Sequence, residues 1–290
     1  MMRKKPMLAY PVSDKPIDYN QLVFMQPKLD GVRCLIQRQS DFPGQESLAS
    51  FSVKAYSRTG KEWKNIDHIL QSLKPFFFHN PDVILDGELY NHALRDDFEK
   101  IISCVRKQKP TDADKAESRK LVQFHCYDIV DENLDFEQRN IWLNQHLQPV
   151  SYGIRVVKTI VTPTESQAKI NHARNLDSGY EGSILRLNDV YKCKRSHSLC
   201  KFKDFHDAEA VIVDWVEGKG KRKGTIGKFM AIDADGNEFG MPVMDNFKKL
   251  QTMFKEMQSW VGKEATFTYF ERTKANSYRH PLFKAIRDYE

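Results

Sequence analysis

Short strand-like runs recur through residue 187 of this chain without settling into a regular strand–helix alternation. They cover residues 23–26, 32–37, 51–56, 83–89, 122–129 and 182–187, each rich in β-branched or aromatic residues and bounded by turn formers. Helical spacing falls irregularly between them. Phe98, Ile101, Ile102 and Val105 share one helical face, and Ile141, Trp142 and Leu147 lie on another helical stretch. Thr164 with Gln167 reads as a capping box that opens a helix through residue 175. A regular alternation would build a parallel sheet. Its absence predicts an α+β fold with antiparallel sheets.

The pattern changes near Asp204. Residues 210–216 read as a strand that leads into a Gly/Lys loop, and residues 229–233 and 238–241 flank the turn former Asp235-Gly236-Asn237. Phe247, Leu250, Met253, Phe254, Met257 and Val261 then mark one face of a helix, and residues 265–270 return to strand. Several short strands with one helix suggest a small β-barrel of the OB type. A length of 290 residues accommodates two such domains, with expected bounds 1–203 and 204–290.

Hydrophobic residues make up 40% of the chain and charged residues 29%, an ordinary globular balance. No run approaches the ~18 apolar residues of a membrane span, and the basic start lacks the apolar core of a signal peptide. The five cysteines, Cys34, Cys104, Cys126, Cys193 and Cys200, are odd in number and contain no CxxC pair. This points to a reducing, cytoplasmic compartment. Cys193, His197 and Cys200 are closely spaced, but a fourth zinc ligand is missing nearby. The net charge is +6. Residues 191–203 carry five basic side chains and no acid, and residues 217–228 carry five with one acid. Two such segments suit an acidic partner such as nucleic acid.

The chemistry centres on Lys28-Leu29-Asp30-Gly31-Val32-Arg33. Lys28 follows Pro27, which keeps Gln26 extended and carries the strand up to the loop. A lysine amine attacks phosphorus only when unprotonated, a state that nearby cations or a metal favour. Ser57-Arg58-Thr59-Gly60-Lys61 offers hydroxyl, guanidinium and backbone N–H groups to a phosphate. Asp86-Gly87-Glu88-Leu89 places an acid suited to a ribose hydroxyl or a metal, and Glu181-Gly182 places another metal-capable carboxylate. Tyr127 offers an aromatic surface for a base. Lys201-Phe202-Lys203 alternates, so in a strand both amines face one side and Phe202 the other.

In this order the motifs resemble the covalent nucleotidyltransferase superfamily, and within it the small ATP-dependent DNA ligases of bacteriophages and large DNA viruses. KLDGVR resembles motif I, SRTGK motif Ia, LDGELY motif III, FHCYDIV motif IIIa, EGSILR motif IV and CKFKDFHDAEA motif V. The end of the chain, with Tyr269-Phe270-Glu271, then Arg279 to Phe283, then Ile286-Arg287, resembles the final barrel strands of the minimal viral ligases.

The resemblance implies a mechanism. Lys28 would take AMP from ATP as a lysyl phosphoramide, pass it to the 5′-phosphate at a nick in double-stranded DNA, and release it when the 3′-hydroxyl attacks. It implies that Gln26, Arg33, Glu88, Tyr127, Lys201 and Lys203 contact the nucleotide, with Glu88 on the ribose and Tyr127 on adenine. Lys201 and Lys203 would hold phosphate oxygens and favour the neutral form of Lys28. Glu88 and Glu181 would hold Mg2+ or Mn2+. Ser57, Arg58 and Arg195 would hold the 5′-phosphate, and Lys219, Lys221, Arg222 and Lys223 the DNA backbone. ATP is expected rather than NAD, because the NAD-dependent relatives carry an extra N-terminal domain and zinc modules. Two features depart from the family pattern. The barrel carries only a short loop, residues 218–227, where relatives insert a long hairpin, and no Arg-x-Asp-Lys motif closes the chain.

A monomer suffices for this chemistry. The alternatives are an RNA ligase or mRNA-capping guanylyltransferase of the same superfamily, and a non-catalytic nucleic-acid-binding module. Replication, repair and recombination are all roles such an enzyme serves.

Overall fold

The computed structural model describes residues 4–40, 51–147, 153–273 and 276–287. The chain divides into two compact units, Met1–Phe202 and Lys203–Glu290. In the first unit the elements run β1 (Leu8–Pro11), β2 (Val23–Lys28), β3 (Val32–Ser40), β4 (Phe51–Tyr56), α1 (Asp67–His79), β5 (Ile84–Tyr90), α2 (Phe98–Val105), α3 (Asp112–Leu121), β6 (Gln123–Ile129), α4 (Phe136–Leu147), β7 (Ile154–Val156), β8 (Ile160–Val161), α5 (Glu165–Asp177), β9 (Gly182–Leu187) and β10 (Arg195–Phe202). They form two five-stranded sheets, ordered β1-β10-β9-β2-β8 and β4-β3-β5-β6-β7. Every pairing is antiparallel except β1 with β10 and β6 with β7. The fold is mixed α+β with antiparallel sheets.

Each sheet has a helix-covered face that buries alternate residues, as the pleat requires. Behind the second sheet, Cys34, Ile36, Leu85, Leu89 and Phe124 pack with Ile69, Leu73 and Phe77 of α1, Ile101 of α2 and Leu143 of α4. Behind the first, Val23, Met25, Leu185 and Cys200 pack with Ala168 of α5. The opposite faces carry the residues singled out above.

Several helices differ from the sequence expectation. Ile141 is half exposed, and Leu143 and Leu147 form the buried face of α4. Thr164 caps α5 by accepting from Gln167 N, but the Gln167 side chain donates onward to Asn171, so only half of the capping box forms. A complete box opens α3 at Thr111 and Asp114 instead.

The second unit contains β11 (His206–Glu217), β12 (Ile226–Ile232), β13 (Glu238–Pro242), α6 (Phe247–Lys255), α7 (Met257–Trp260), β14 (Glu264–Tyr269), β15 (Glu271–Arg272), β16 (Tyr278–Arg279) and β17 (Leu282–Ile286). Five of its strands form one antiparallel sheet ordered β13-β12-β11-β14-β17. Gly236, at φ 83°, supplies the left-handed residue in the turn between β12 and β13. The single helix expected over residues 247–261 is broken. Trp260 Nε1 donates to Met253 O at 3.1 Å, occupying the carbonyl that an unbroken helix would offer Met257 N. Leu250 and Met253 are buried, while Phe247 and Val261 face solvent. Among the described residues no helix is long and apolar enough to cross a membrane.

Candidate active site

Lys28 is the last residue of β2, and its position is fixed by the strand beside it. Lys28 pairs with Gly182 in register, and Glu181 N donates to Lys28 O at 3.1 Å. The ammonium of Lys28 forms an ion pair with Glu181, whose side chain is only 5% exposed. The loop after Lys28 must pass close against β5. A Cβ on Gly31 would lie 2.5 Å from Leu89 O and 2.7 Å from Glu88 Cγ, so glycine is required there on steric grounds alone.

The second sheet supplies the facing wall. Arg33 pairs in register with Glu88. Its guanidinium grips Asp86 with two bonds of 2.6 Å and donates to Met7 O at 3.1 Å. Tyr191 donates to the same Asp86 carboxylate at 2.7 Å. Arg33, expected to contact the nucleotide, has its Nε and Nη2 donors committed within the wall, and its Cζ lies 5.0 Å from the centre of the Tyr127 ring.

Asp128 joins Tyr127 on this wall because β6 is irregular. Asp86 faces Asp128 while Gly87 faces Cys126, so Tyr127 is the extra residue of a β-bulge. The bulge puts Tyr127 and Asp128 on the same side, while Cys126 and Ile129 both enter the core. Tyr127 donates to Glu88 Oε2 at 3.2 Å. Burial pushes the Glu88 carboxyl up to about 7, against the opposing pull of Arg33, Lys28 and the Tyr127 hydroxyl.

Gln26 and Asp128 join the two sheets. Gln26 donates to Tyr127 O at 3.1 Å and to Thr159 Oγ1 at 2.9 Å, and accepts from Arg186 Nε at 2.8 Å. Arg186 also donates to Asp128 at 2.7 Å, and Arg139 of α4 donates to both oxygens of Asp128 at 2.7 and 3.2 Å. All three charged side chains are at most 4% exposed. The resemblance implied that Gln26 contacts the nucleotide. Here its amide is engaged in this network, two residues before Lys28. Arg186 closes the EGSILR motif and Asp128 follows Tyr127 in FHCYDIV, so the motifs contained both. Nothing local assigned the two to one ion-pair network.

The remaining candidates divide between the units. Lys201 lies on β10, in register with Ile184 and, one strand further, Gln26. The strand ends at Phe202, and Lys203 begins the second unit, where its ammonium lies 4.2 Å from the centre of the Phe270 ring. Ser57 is buried in the turn after β4. Its Oγ accepts from Lys61 N at 2.9 Å, and Gly60 at φ 104° allows the tight return. Arg58 is exposed at that turn's tip. Arg195 donates to Ala9 O, and its Cζ lies 5.5 Å from the Tyr10 ring. In the second unit, Lys219, Lys221 and Lys223 are exposed, while Arg222 donates to Val243 O at 3.0 Å and anchors the loop.

Among the described residues no three His, Cys, Asp or Glu side chains converge as a metal cluster. His197 stacks on Tyr10 at 3.9 Å, and Cys200 Sγ donates to the His197 carbonyl. Glu88 and Glu181 both act electrostatically on Lys28 or bind it. Two carboxylates fit Mg2+, which commonly binds one or two of them together with waters and substrate phosphates.

A strand-end lysine facing carboxylates between two antiparallel sheets gives a fold of the nucleotidyltransferase type. Comparison with known proteins makes this specific. Residues 6–203 match the model of the ATP dependent DNA ligase domain. A DNA ligase of African swine fever virus is 31% identical over 212 residues, covering 70% of this chain and 46% of that protein. The chain belongs to the ATP-dependent DNA ligase domain family. It spans about half the length of the curated relatives it matches. A solved structure from a study of DNA binding by Lig E DNA ligases superimposes with a TM-score of 0.75 at 23% identity, covering 99% of this chain and 100% of that one. The Chlorella virus DNA ligase-adenylate gives 0.51 at 22% identity, with 99% of each chain covered. At these identities the likeness is one of fold.

Proposed function

We propose that this chain seals nicks in duplex DNA with ATP, through AMP held on Lys28. The observation that carries the reading is the placement of Lys28 at a strand end, paired with buried Glu181 and opposite Glu88, Tyr127 and Arg33, within the DNA ligase domain match. Lys28 Nζ, once deprotonated, attacks the α-phosphorus; the N–P bond forms as the P–O bond to pyrophosphate breaks. The 5′-phosphate at the nick then displaces Lys28 and takes AMP. Attack by the 3′-hydroxyl expels AMP and closes the backbone.

Each wall residue has a part. Glu181 holds the Lys28 ammonium in place before reaction. Glu88 binds the ribose and Tyr127 provides the aromatic surface for adenine. Lys201 and Lys203 neutralise phosphate oxygens, which lowers the cost of the developing charge. Glu88 and Glu181 would hold Mg2+ or Mn2+, which when bound neutralises triphosphate charge. Ser57, Arg58 and Arg195 bind the 5′-phosphate.

The second unit is read as an OB-type barrel. Its sheet order and the helical segment between the third and fourth strands of the unit support this. The exposed lysines of its short loop hold backbone phosphates. Domain bounds of 1–203 and 204–290 and a monomeric enzyme complete the reading.

The test is adduct formation with labelled ATP, GTP and NAD in parallel, chased with nicked DNA. The expected result is an adduct from ATP that the nick discharges. A folded Lys28→Ala protein that still acquires label refutes the lysine assignment.

A further inference from the structure

Directly behind the site, three residues on adjacent strands form one row. Ser183 on β9 is in register with Pro27 on β2 on one side and with Phe202 on β10 on the other. Pleating turns these side chains toward α5, and their neighbours Lys28 and Lys201 the other way. One side chain of α5 touches two members of this row. His172, 4% exposed, lies flat on Phe202, with ring centres 3.9 Å apart and planes 7° apart. Its Nδ1 is 3.1 Å from Ser183 Oγ, and Asn175 Nδ2 donates to that same oxygen at 2.8 Å.

We propose that His172 is a positioning residue that locks the strand ends carrying Glu181 and Lys201 in register with each other beside Lys28. This rests on the reading of Lys28 as nucleophile. Ser183 is two residues after Glu181, and Phe202 follows Lys201. Sliding β9 against β10 would break either the stack or the hydrogen bond, because one rigid ring makes both. An aliphatic residue there would fill the space without holding Ser183. A small polar residue would reach Ser183 without covering Phe202. Imidazole does both, and a misplacement of about an ångström can cost a positioned transfer roughly a hundredfold in rate.

The experiment measures the rate of lysine adenylation at saturating ATP by rapid quench. Adduct formation by the wild-type protein tests the ligase reading alone, and the ratios among variants test His172. His172→Ala is expected to slow adenylation about tenfold or more, with the half-saturating ATP concentration changed by less than about twofold. His172→Phe keeps the stack and loses the bond, so its rate falls between the two. Ser183→Ala, which removes the shared partner of His172 and Asn175, slows adenylation at least as much as His172→Phe. Ala168→Gly, on the same helix, lowers the melting temperature without changing the rate of the folded protein. A wild-type rate in His172→Ala overturns the proposal, as does Ala168→Gly slowing the reaction as much as His172→Ala. Should His172→Ala fail to fold, a wild-type rate in His172→Phe overturns the bonding role.

Discussion

Replacing Glu88 with glutamine tests the electrostatics of the site without reference to any ligand. The carboxyl titrates near the usual 4.5 in the unfolded chain and at about 7 in the folded one, with burial the largest cause. Below pH 4.5 both states hold the proton and Glu88 contributes no pH dependence. Between 4.5 and 7 the unfolded chain has released its proton while the folded protein retains it. The folded state binds more protons in that window, so its stability falls as pH rises. At ~1.4 kcal/mol per pH unit the full loss approaches about 3 kcal/mol. Glu88 keeps some solvent exposure, which screens the charge, so about 2 kcal/mol is expected. Glutamine is isosteric with the neutral acid and still accepts from Tyr127. The advantage of Glu88→Gln over the wild type should therefore grow from pH 4 to pH 8 and then level off. Amide hydrogen exchange in peptides from β5 and β6 reads the local opening free energy at each pH, and taking the difference between the two proteins removes their common titrations. A difference that is flat across this range, or that shrinks as pH rises, refutes the assignment of Glu88 as a carboxyl raised by burial.

Asp128→Ala leaves the buried Arg139 and Arg186 facing each other without their shared carboxylate, and should cost about 3–5 kcal/mol; the urea midpoint of the first unit checks it. Gly31→Ala drives a methyl into Leu89 O, so overpacking of about 1–3 kcal/mol is expected, together with at least a tenfold slower adduct formation in a rapid-quench assay. Changing Lys219, Lys221 and Lys223 together to alanine should weaken binding to nicked duplex at low salt. It should also reduce the slope of log affinity against log salt by up to about 2.7, at ~0.9 for each phosphate no longer neutralised. An unchanged slope removes the loop from the DNA interface.

Much of the site was legible in the chain. The strand runs near residues 23–26, 32–37, 51–56 and 182–187 correspond to β2, β3, β4 and β9, because alternation with turn residues at the ends is a local signal. Lys28 at the end of a strand, and Glu181 just before the next, followed from the same reading. The helices were harder. The α6–α7 break depends on Trp260 reaching back to Met253, and α1 contains Pro75, which argues locally against a helix. The turn at Ser57 is held by its own hydroxyl, which accepts from Lys61 N and keeps its O–H as a donor.

By itself the sequence determined the residue types and their order: the lysine, the glycine that must follow it, the carboxylates, the aromatic residue and the basic segments. These are properties of short stretches, set by side-chain chemistry and by the period of a strand. The tertiary structure decided which of them meet. The bulge at Tyr127 turns Asp128 toward the same wall, and so gives Arg186 and Arg139 a common carboxylate. Register and bulges depend on pairing between segments far apart in the chain, as Gln26 and Arg186, 160 residues apart, are. The energy that fixes them comes from buried charges and hydrogen bonds that must all be satisfied at once, a condition no single stretch of sequence records.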